Sequence, residues 1–248
     1  MDRFIILGSA NAIPKIDQDN THLYVESGNK RILVDCGNNA LVGLHKRGID
    51  PSSLTDIVIT HFHPDHAGSL PNFLMGMWLE KRQQPLTIHG LEFTIDRVKA
   101  LLGLFGWSNW PNMYPVIFNL VLDGVQNVVI ESTSLTIQGV TVKHSIPAIG
   151  LRFNFADGKS AAYSCDTEPC DQLIKLAEKT DVLLQESAGP GKFHTSAKQA
   201  GEIAKTANVK KLILIHYDRD LGVENLVKDA QSEFTGEVTA AYDGLVVF

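Results

Sequence analysis

The chain has 248 residues, enough for one large domain or two small ones with a buried core. Hydrophobic residues make up 44% and charged residues 20%, an ordinary globular balance, and the formal net charge of −6 lacks the bulk positive field of most nucleic-acid binders. Cys36, Cys165 and Cys170 are too few for a disulfide framework and fit a reducing, cytoplasmic setting, while no apolar run is long enough for a signal peptide or a spanning helix.

Residues 4–7, 23–26 and 31–35 are expected as strands between Gly- and Asn-bearing turns, and 38–47 as a helix. The turn DPSSLTD leads into a strand at 57–60. Helices over 70–81 and 91–104 flank a strand at 86–89. The stretch GLFGWSNWPNMYPVIF is aromatic and rich in Gly, Asn and Pro. It is expected to be irregular, with its rings packed into the core. Strands at 135–137, 140–144, 151–155 and 160–164 follow, then a helix at 170–178 and a strand at 181–186. A helix at 196–207, a strand at 211–216, a helix at 222–234 and a closing strand to residue 248 complete the chain. Strands come first and alternate with helices later, which predicts a mixed α/β fold. No linker or low-complexity segment divides residues 1–248, so one domain is expected.

THFHPDHAG, residues 60–68, crowds His61, His63, Asp65 and His66 into one short loop. Three further candidates close strand patterns. Alternate side chains of a strand share a face, which groups Ile57 and Ile59 with His61, and Val140 and Val142 with His144. It also groups Ala162 and Ser164 with Asp166, and Leu212 and Leu214 with His216. Each apolar row ends in a His or Asp at the C-terminal end of its strand, where open α/β sheets place their sites. Imidazoles and carboxylates suit borderline divalent metals. His61 and His63 alternate toward one side, Pro64 stiffens the turn, and Asp65 and His66 point to a second position. The set overfills one metal. Two metals sharing a carboxylate fit it, an arrangement suited to hydrolysis by in-line displacement. The isolated His22, His45 and His89 are expected to be structural or on the surface.

THFHPDHAG resembles the H-x-H-x-D-H signature of the metallo-β-lactamase superfamily, and ILVDCG at 32–37 resembles its upstream Asp motif. The resemblance covers nearly the whole chain. It implies an α/β fold, the αββα sandwich, with two mixed β-sheets flanked by helices. It implies two Zn2+ per chain, with Mn2+ or Fe2+ as alternatives. One ion would be held by His61, His63 and His144, the second by Asp65, His66 and His216, with Asp166 as the bridge and Asp35 supporting the loop from behind.

LGSANAIP, KHSIPAIGLRF at 143–153 and FHTSAKQAGEIAKTANVKKLILIHYD at 193–218 resemble the ribonuclease Z branch. In that branch a His just before a helix assists phosphodiester cleavage, and the matching residue is His194. Ser196 and Gln199 read as a capping box, so a helix should start just after His194. A helix N-terminus favours anions. His194 there is suited to protonating a leaving alkoxide or stabilising a phosphoryl oxygen. Glu186, ending the preceding strand, is expected to orient it. Asp65 would orient or deprotonate the nucleophile, a hydroxide shared by the two metals.

Two departures from the branch stand out. Its tRNA-gripping arm lies between the third His motif and the bridging Asp, and residues 145–165 leave no room for one. Cys165 stands where the branch has Gly, and strand alternation predicts a small buried side chain facing away from Asp166. The expected activity is therefore that of a zinc-dependent hydrolase, a phosphodiesterase cleaving RNA or small or cyclic diesters. No strong duplex binding and no membrane partner are expected. The resemblance implies a homodimer, and the aromatic segment 105–118 is a candidate for its interface. The alternatives are a sulfatase, lactonase or lactamase on the same metals, or a non-hydrolytic metal or redox protein. Flavodiiron relatives carry an acidic residue where this chain has His63, and add a flavin domain.

Overall fold

A computed structural model describes residues 2–124 and 126–248, and among them the strands form two sheets. The first holds β1 (Arg3–Gly8), β2 (His22–Ser27), β3 (Lys30–Val34), β4 (Asp56–Val58), β5 (Leu86–Leu91) and β6 (Val116–Val121), in that order. Its first three strands are antiparallel and the rest parallel. The second holds β7 (Asn127–Glu131), β8 (Leu135–Val142), β9 (Ala148–Phe155), β10 (Ser160–Tyr163), β11 (Val182–Glu186), β12 (Lys211–Ile215) and β13 (Glu237–Ala240). It is antiparallel from β7 to β10 and parallel from β10 to β13.

The helices are α1 (Ala40–His45), α2 (Pro64–Ala67), α3 (Leu70–Leu79), α4 (Glu92–Leu104), α5 (Asp171–Ala177), α6 (Ala197–Thr206) and α7 (Val223–Gln231). The alternation of each strand decides where they go. Phe4, Leu23 and Ile32 face Ile137, Leu151 and Phe153 between the sheets, with the Phe4 and Phe153 rings 5.0 Å apart. Leu33, Ile57 and Ile88 turn the opposite way, onto Leu44, Phe73 and Val98 of α1, α3 and α4. Leu173, Ala200 and Leu226 of α5, α6 and α7 cover the second sheet. The layers run helix, sheet, sheet, helix, as the αββα expectation has it. Each fully buried Leu, Ile or Phe contributes roughly 1.5–3 kcal/mol, so this central layer holds the sheet ends in place.

Four local expectations need correction. Residues 135–137 and 140–144 are not two strands: Leu135–Val142 is continuous. Gly139 reads as a break but sits mid-strand because a Cβ there would lie 2.9 Å from Val129 Cγ2 on β7. The aromatic stretch is irregular only to Pro115; β6 begins at Val116 and forms an edge of the first sheet. The strand β7 was not expected. The last strand ends at Ala240, and residues 245–248 instead run along β1, with Ile6 N–H donating to Leu245 O at 2.9 Å and Val247 N–H to Phe4 O at 2.7 Å. Among the described residues no helix is long and apolar enough to cross a membrane.

Candidate active site

The site lies in the loops beyond the C-terminal ends of β3, β4, β8, β10, β11 and β12. The sequence places His61, His144, Asp166 and His216 at the C-terminal ends of strands, with His144 and His216 as the last strand residues, and for those two the placement is corrected here. β4 stops at Val58, β8 at Val142, β10 at Tyr163 and β12 at Ile215, so every one of these side chains is carried by the loop that follows. The chain bends sharply there. Asp35, Cys165 and His216 have φ of 64°, 57° and 55°, left-handed values that L-residues rarely adopt.

Asp35 organises the His61–His66 loop. It is fully buried, and its Oδ1 accepts the Thr60 N–H at 2.8 Å. Its Oδ2 accepts the Thr60 hydroxyl at 2.8 Å and His66 Nδ1–H at 2.9 Å. Gly37 lets the loop approach: a Cβ there would sit 1.7 Å from the Asp65 carbonyl oxygen. α2 then turns Asp65 and His66 back toward the sheet ends, starting at Pro64, whose fixed φ suits a first helical position.

Two donor clusters form around the His61–His66 loop, and among the described residues a third group of possible donors joins Glu186, His194 and His216 beside them. Ligand atoms of His61, His63, His144 and Asp166 lie within 4.8 Å of one another, as do those of Asp65, His66, Asp166 and His216. In the first, His63 Nδ1 is 3.0 Å from His61 Nε2 and 3.2 Å from His144 Nε2. In the second, His66 Nε2 is 3.4 Å from both Asp65 Oδ2 and Asp166 Oδ1, and His216 Nε2 is 3.3 Å from Asp65 Oδ2. Asp166 belongs to both clusters.

The chemistry of this donor set fits cations. Asp35 Oδ2 and the Phe193 carbonyl, 2.9 Å from His66 Nδ1 and His144 Nδ1, only accept, so both rings carry their proton on Nδ1. In the neutral rings each Nε2 then aims a lone pair at other nitrogens or carboxylate oxygens. Asp166 Oδ1 is buried and accepts no hydrogen bond. Acceptors converging without donors is an arrangement that positive charge relieves. The titration directions agree. Against the burial that would raise it, His216 and His66, when doubly protonated, hydrogen-bond the Asp65 carboxyl and hold it well below the usual range, supplying the positive charge that the neutral rings lack. Burial would lower His66, yet Asp166 and Asp35 hold it well above its ordinary value. Burial depresses His61, His63 and His144, keeping them neutral and able to ligate.

Beside the clusters stands His194. Its Nδ1–H donates to Glu186 Oε1 at 3.0 Å, and that bond raises its pKa. Glu186 is fully buried and also accepts N–H groups from Thr167, Ala188 and Thr195 at 3.1, 2.9 and 3.0 Å. Ser196 caps α6 through its side chain, and Gln199 completes the capping box. The His194 ring stacks on His216 at 6.0 Å and meets His144 edge-on at 5.3 Å. A cavity of about 310 Å3 opens over these groups, rimmed by Asn11, Ala12, Ile13 and Ala188. Among the described residues no lysine or arginine lines it. Three larger concavities, two of about 520 Å3 and one of about 350 Å3, hold neither cluster.

All ten candidate residues from the sequence converge here. His22, His45 and His89 belong to neither cluster; His89 pairs instead with Asp56 at 2.9 Å. Cys165 is buried as expected, but it lies past β10 and its left-handed backbone, not strand alternation, directs it. Its Sγ is 3.4 Å from His61 Nδ1, the ring nitrogen opposite the cluster. Sequence reasoning missed Thr60, whose hydroxyl links Asp35 to His61 Nδ1 at 3.2 Å, and the Phe193 carbonyl behind His144. Thr60 stands next to the histidines, a signal that was available. A carbonyl leaves none.

The two layered sheets and this site define a protein of the metallo-β-lactamase fold. YhfI of Bacillus subtilis, a solved protein of that fold, superimposes with a TM-score of 0.85 at 23% identity, covering 99% of this chain and 98% of its own. Residues 3–240 match the family described as Anti-Pycsar protein Apyc1, and the chain belongs to that family. It is also 27% identical to ribonuclease Z of Parabacteroides distasonis over 290 aligned residues, 94% of each protein. An uncharacterized protein of Mycobacterium tuberculosis is 27% identical over 261 residues, 96% of this chain and 89% of the relative.

Proposed function

We propose that the protein is a dinuclear metallohydrolase, a phosphodiesterase acting on small, including cyclic, phosphodiesters. The observation that carries this reading is the pair of donor clusters sharing Asp166, with the His194–Glu186 pair set against them. His61, His63, His144 and Asp166 would hold one Zn2+, and Asp65, His66, Asp166 and His216 the other, with Mn2+ or Fe2+ as alternatives. Two such ions supply Lewis-acid activation of water and neutralise charge on the phosphoryl oxygens.

The chain's own residues do the rest. Asp65 stays ionised over the working pH range, so it accepts a hydrogen bond from the attacking water and aims it more than it acts as a strong base. His194 has its Nδ1 occupied by Glu186, so Nε2 delivers the proton to the leaving alkoxide. Glu186 keeps His194 cationic until that transfer.

The substrate is small for three reasons. The cavity of about 310 Å3 is at the low end for ligand sites, on the order of one nucleotide. No cationic side chain among the described residues lines it to grip flanking phosphates. Residues 145–165, where an arm would stand, are taken up largely by β9 and β10. The ribonuclease Z relative aligns over 290 positions, more than this chain has, and so carries insertions that this chain lacks. Three unpaired cysteines support a reducing, cytoplasmic setting. Exposed Leu104, Phe105 and Ile117, in and beside the aromatic segment, support a homodimer, which native mass spectrometry would report.

The test is a panel: zinc-loaded protein against bis-p-nitrophenyl phosphate, 3′,5′-cyclic nucleotides, precursor tRNA, an aryl sulfate and a lactam. Turnover of the small diesters is expected. Turnover of only the sulfate or the lactam would replace phosphodiester cleavage with a sulfatase or lactamase activity.

A further inference from the structure

Glu168 lies outside both donor clusters, two residues past Asp166, and nothing above uses it. Its surroundings tie it to both halves of the site. The segments around Lys143 and Glu168 are bridged: Glu168 N–H donates to Lys143 O at 2.8 Å, and Lys143 N–H to Thr167 Oγ1 at 3.1 Å. Lys143 Nζ forms an ion pair with Glu168 Oε2. That leaves Glu168 Oε1, which accepts the Phe193 N–H at 2.9 Å. The carbonyl of the same Phe193 accepts His144 Nδ1–H at 2.9 Å. The circuit is closed: Lys143, Glu168, Phe193 and back to His144, the neighbour of Lys143.

Phe193 has φ of 74°, a conformation that a bulky L-residue does not hold unless its surroundings impose it. The residue is 40% exposed, and the one ring contact its side chain makes is edge-on to His144 at 6.2 Å. The pair of hydrogen bonds at the two ends of the residue adds a directional restraint on its backbone. The amides on either side of His194 are held by two different carboxylates: Phe193 by Glu168 and Thr195 by Glu186.

We infer that Glu168 is a positioning residue: it clamps Phe193 in its left-handed turn, and through that carbonyl fixes the Nδ1–H tautomer of His144 and the placement of His194. This rests on the metal-centre reading, but the clamp itself can be read without metal. In the metal-free protein, His144 Nδ1–H should give a protected 15N–1H signal. Glu168→Ala should abolish it, while Glu168→Gln, which keeps an acceptor for the Phe193 amide, should restore it. In titrations against a chromophoric chelator, Glu168→Ala should weaken one of two zinc ions by about tenfold, the lower end of what an outer-shell partner is worth. Glu168→Gln should recover most of that loss. An unchanged His144 signal and unchanged affinities in Glu168→Ala would overturn the inference. So would a Gln variant as impaired as the Ala variant, since the pairing with Lys143, not the acceptor, would then be the active feature. A wild-type protein that binds no zinc would instead sink the metal centre and leave the clamp to be read from the spectrum alone.

Discussion

Replacing Glu186 with Gln separates a buried structural carboxylate from one that tunes His194. Oε1 accepts three N–H groups, from Thr167, His194 and Thr195, and Oε2 accepts one, from Ala188. A glutamine has one acceptor oxygen and one NH2 group, so in either orientation at least one buried donor faces another donor. That costs about 1–3 kcal/mol. Near 2 kcal/mol, a chain of this size should lose roughly 4–8 °C in Tm.

The pH dependence carries the mechanism. The hydrogen bond to Glu186 is the largest influence holding the His194 pKa above its ordinary value. A raised histidine pKa contributes stability that is fully present below the unfolded value, near 6.5, and is lost as pH rises through the folded value. The Tm gap between wild type and Glu186→Gln should therefore narrow from pH 6 to pH 9, leaving only the cost of the unpaired amide. If His194 works as an acid, kcat/KM falls as pH rises through its pKa. Losing a charged partner worth about 1.5–3 kcal/mol should move that alkaline limb down by roughly one to two pH units. Thermal unfolding at the two pH values and a pH–rate profile on a dialkyl or cyclic diester read both effects. An alkaline limb that stays in place would refute the acid role even if the protein were destabilised as expected.

His194→Ala should keep two metal ions by elemental analysis while turnover falls roughly 10²–10⁴-fold on a poor leaving group, and less on nitrophenyl esters that scarcely need a proton. Asp166→Ala should lose at least one of two ions after zinc reconstitution, because its carboxylate belongs to both clusters; retention of both would exclude it as a bridge. Precursor tRNA should bind weakly with a shallow salt slope in filter binding, since few phosphates find a cation. Tight, steeply salt-dependent binding would return tRNA to the head of the substrates.

The site was more legible in the sequence than the sheets around it. Four candidate donors fall within six positions, His61 to His66, and metal chemistry restricts such crowding to few meanings. The long-range partners were legible because each follows directly on a β-rich apolar run. The weak points were edges. β6 carries Ile117 and Leu120 outward and follows Pro115, so its composition imitates a loop. β7 is short, and Gly139 in its neighbour β8 looks like a break until the side chain of Val129 is seen to need the space. In both cases a distant neighbour, not local propensity, decides the structure.

The strand-alternation argument chose the right residues for a geometry the chain does not have. His61, His144, Asp166 and His216 were placed on inward rows of strands, yet each lies just past a strand end. There Asp35, Cys165, Phe193 and His216 all take left-handed conformations. Such turns cost on the order of 1–3 kcal/mol each and persist only where surroundings over-determine them. Here the surroundings are hydrogen bonds to backbone: Thr60 N–H onto Asp35, Phe193 N–H onto Glu168, and His216 N–H onto Ser9 O at 2.9 Å. Residue types announce who can bind a metal. The backbone bonds that aim those residues involve groups every amino acid shares, so side-chain chemistry could flag Asp35 and Glu186 but not the Phe193 carbonyl. Positions such as Glu168, which act only through those shared groups, emerge once the loops are seen folded against one another.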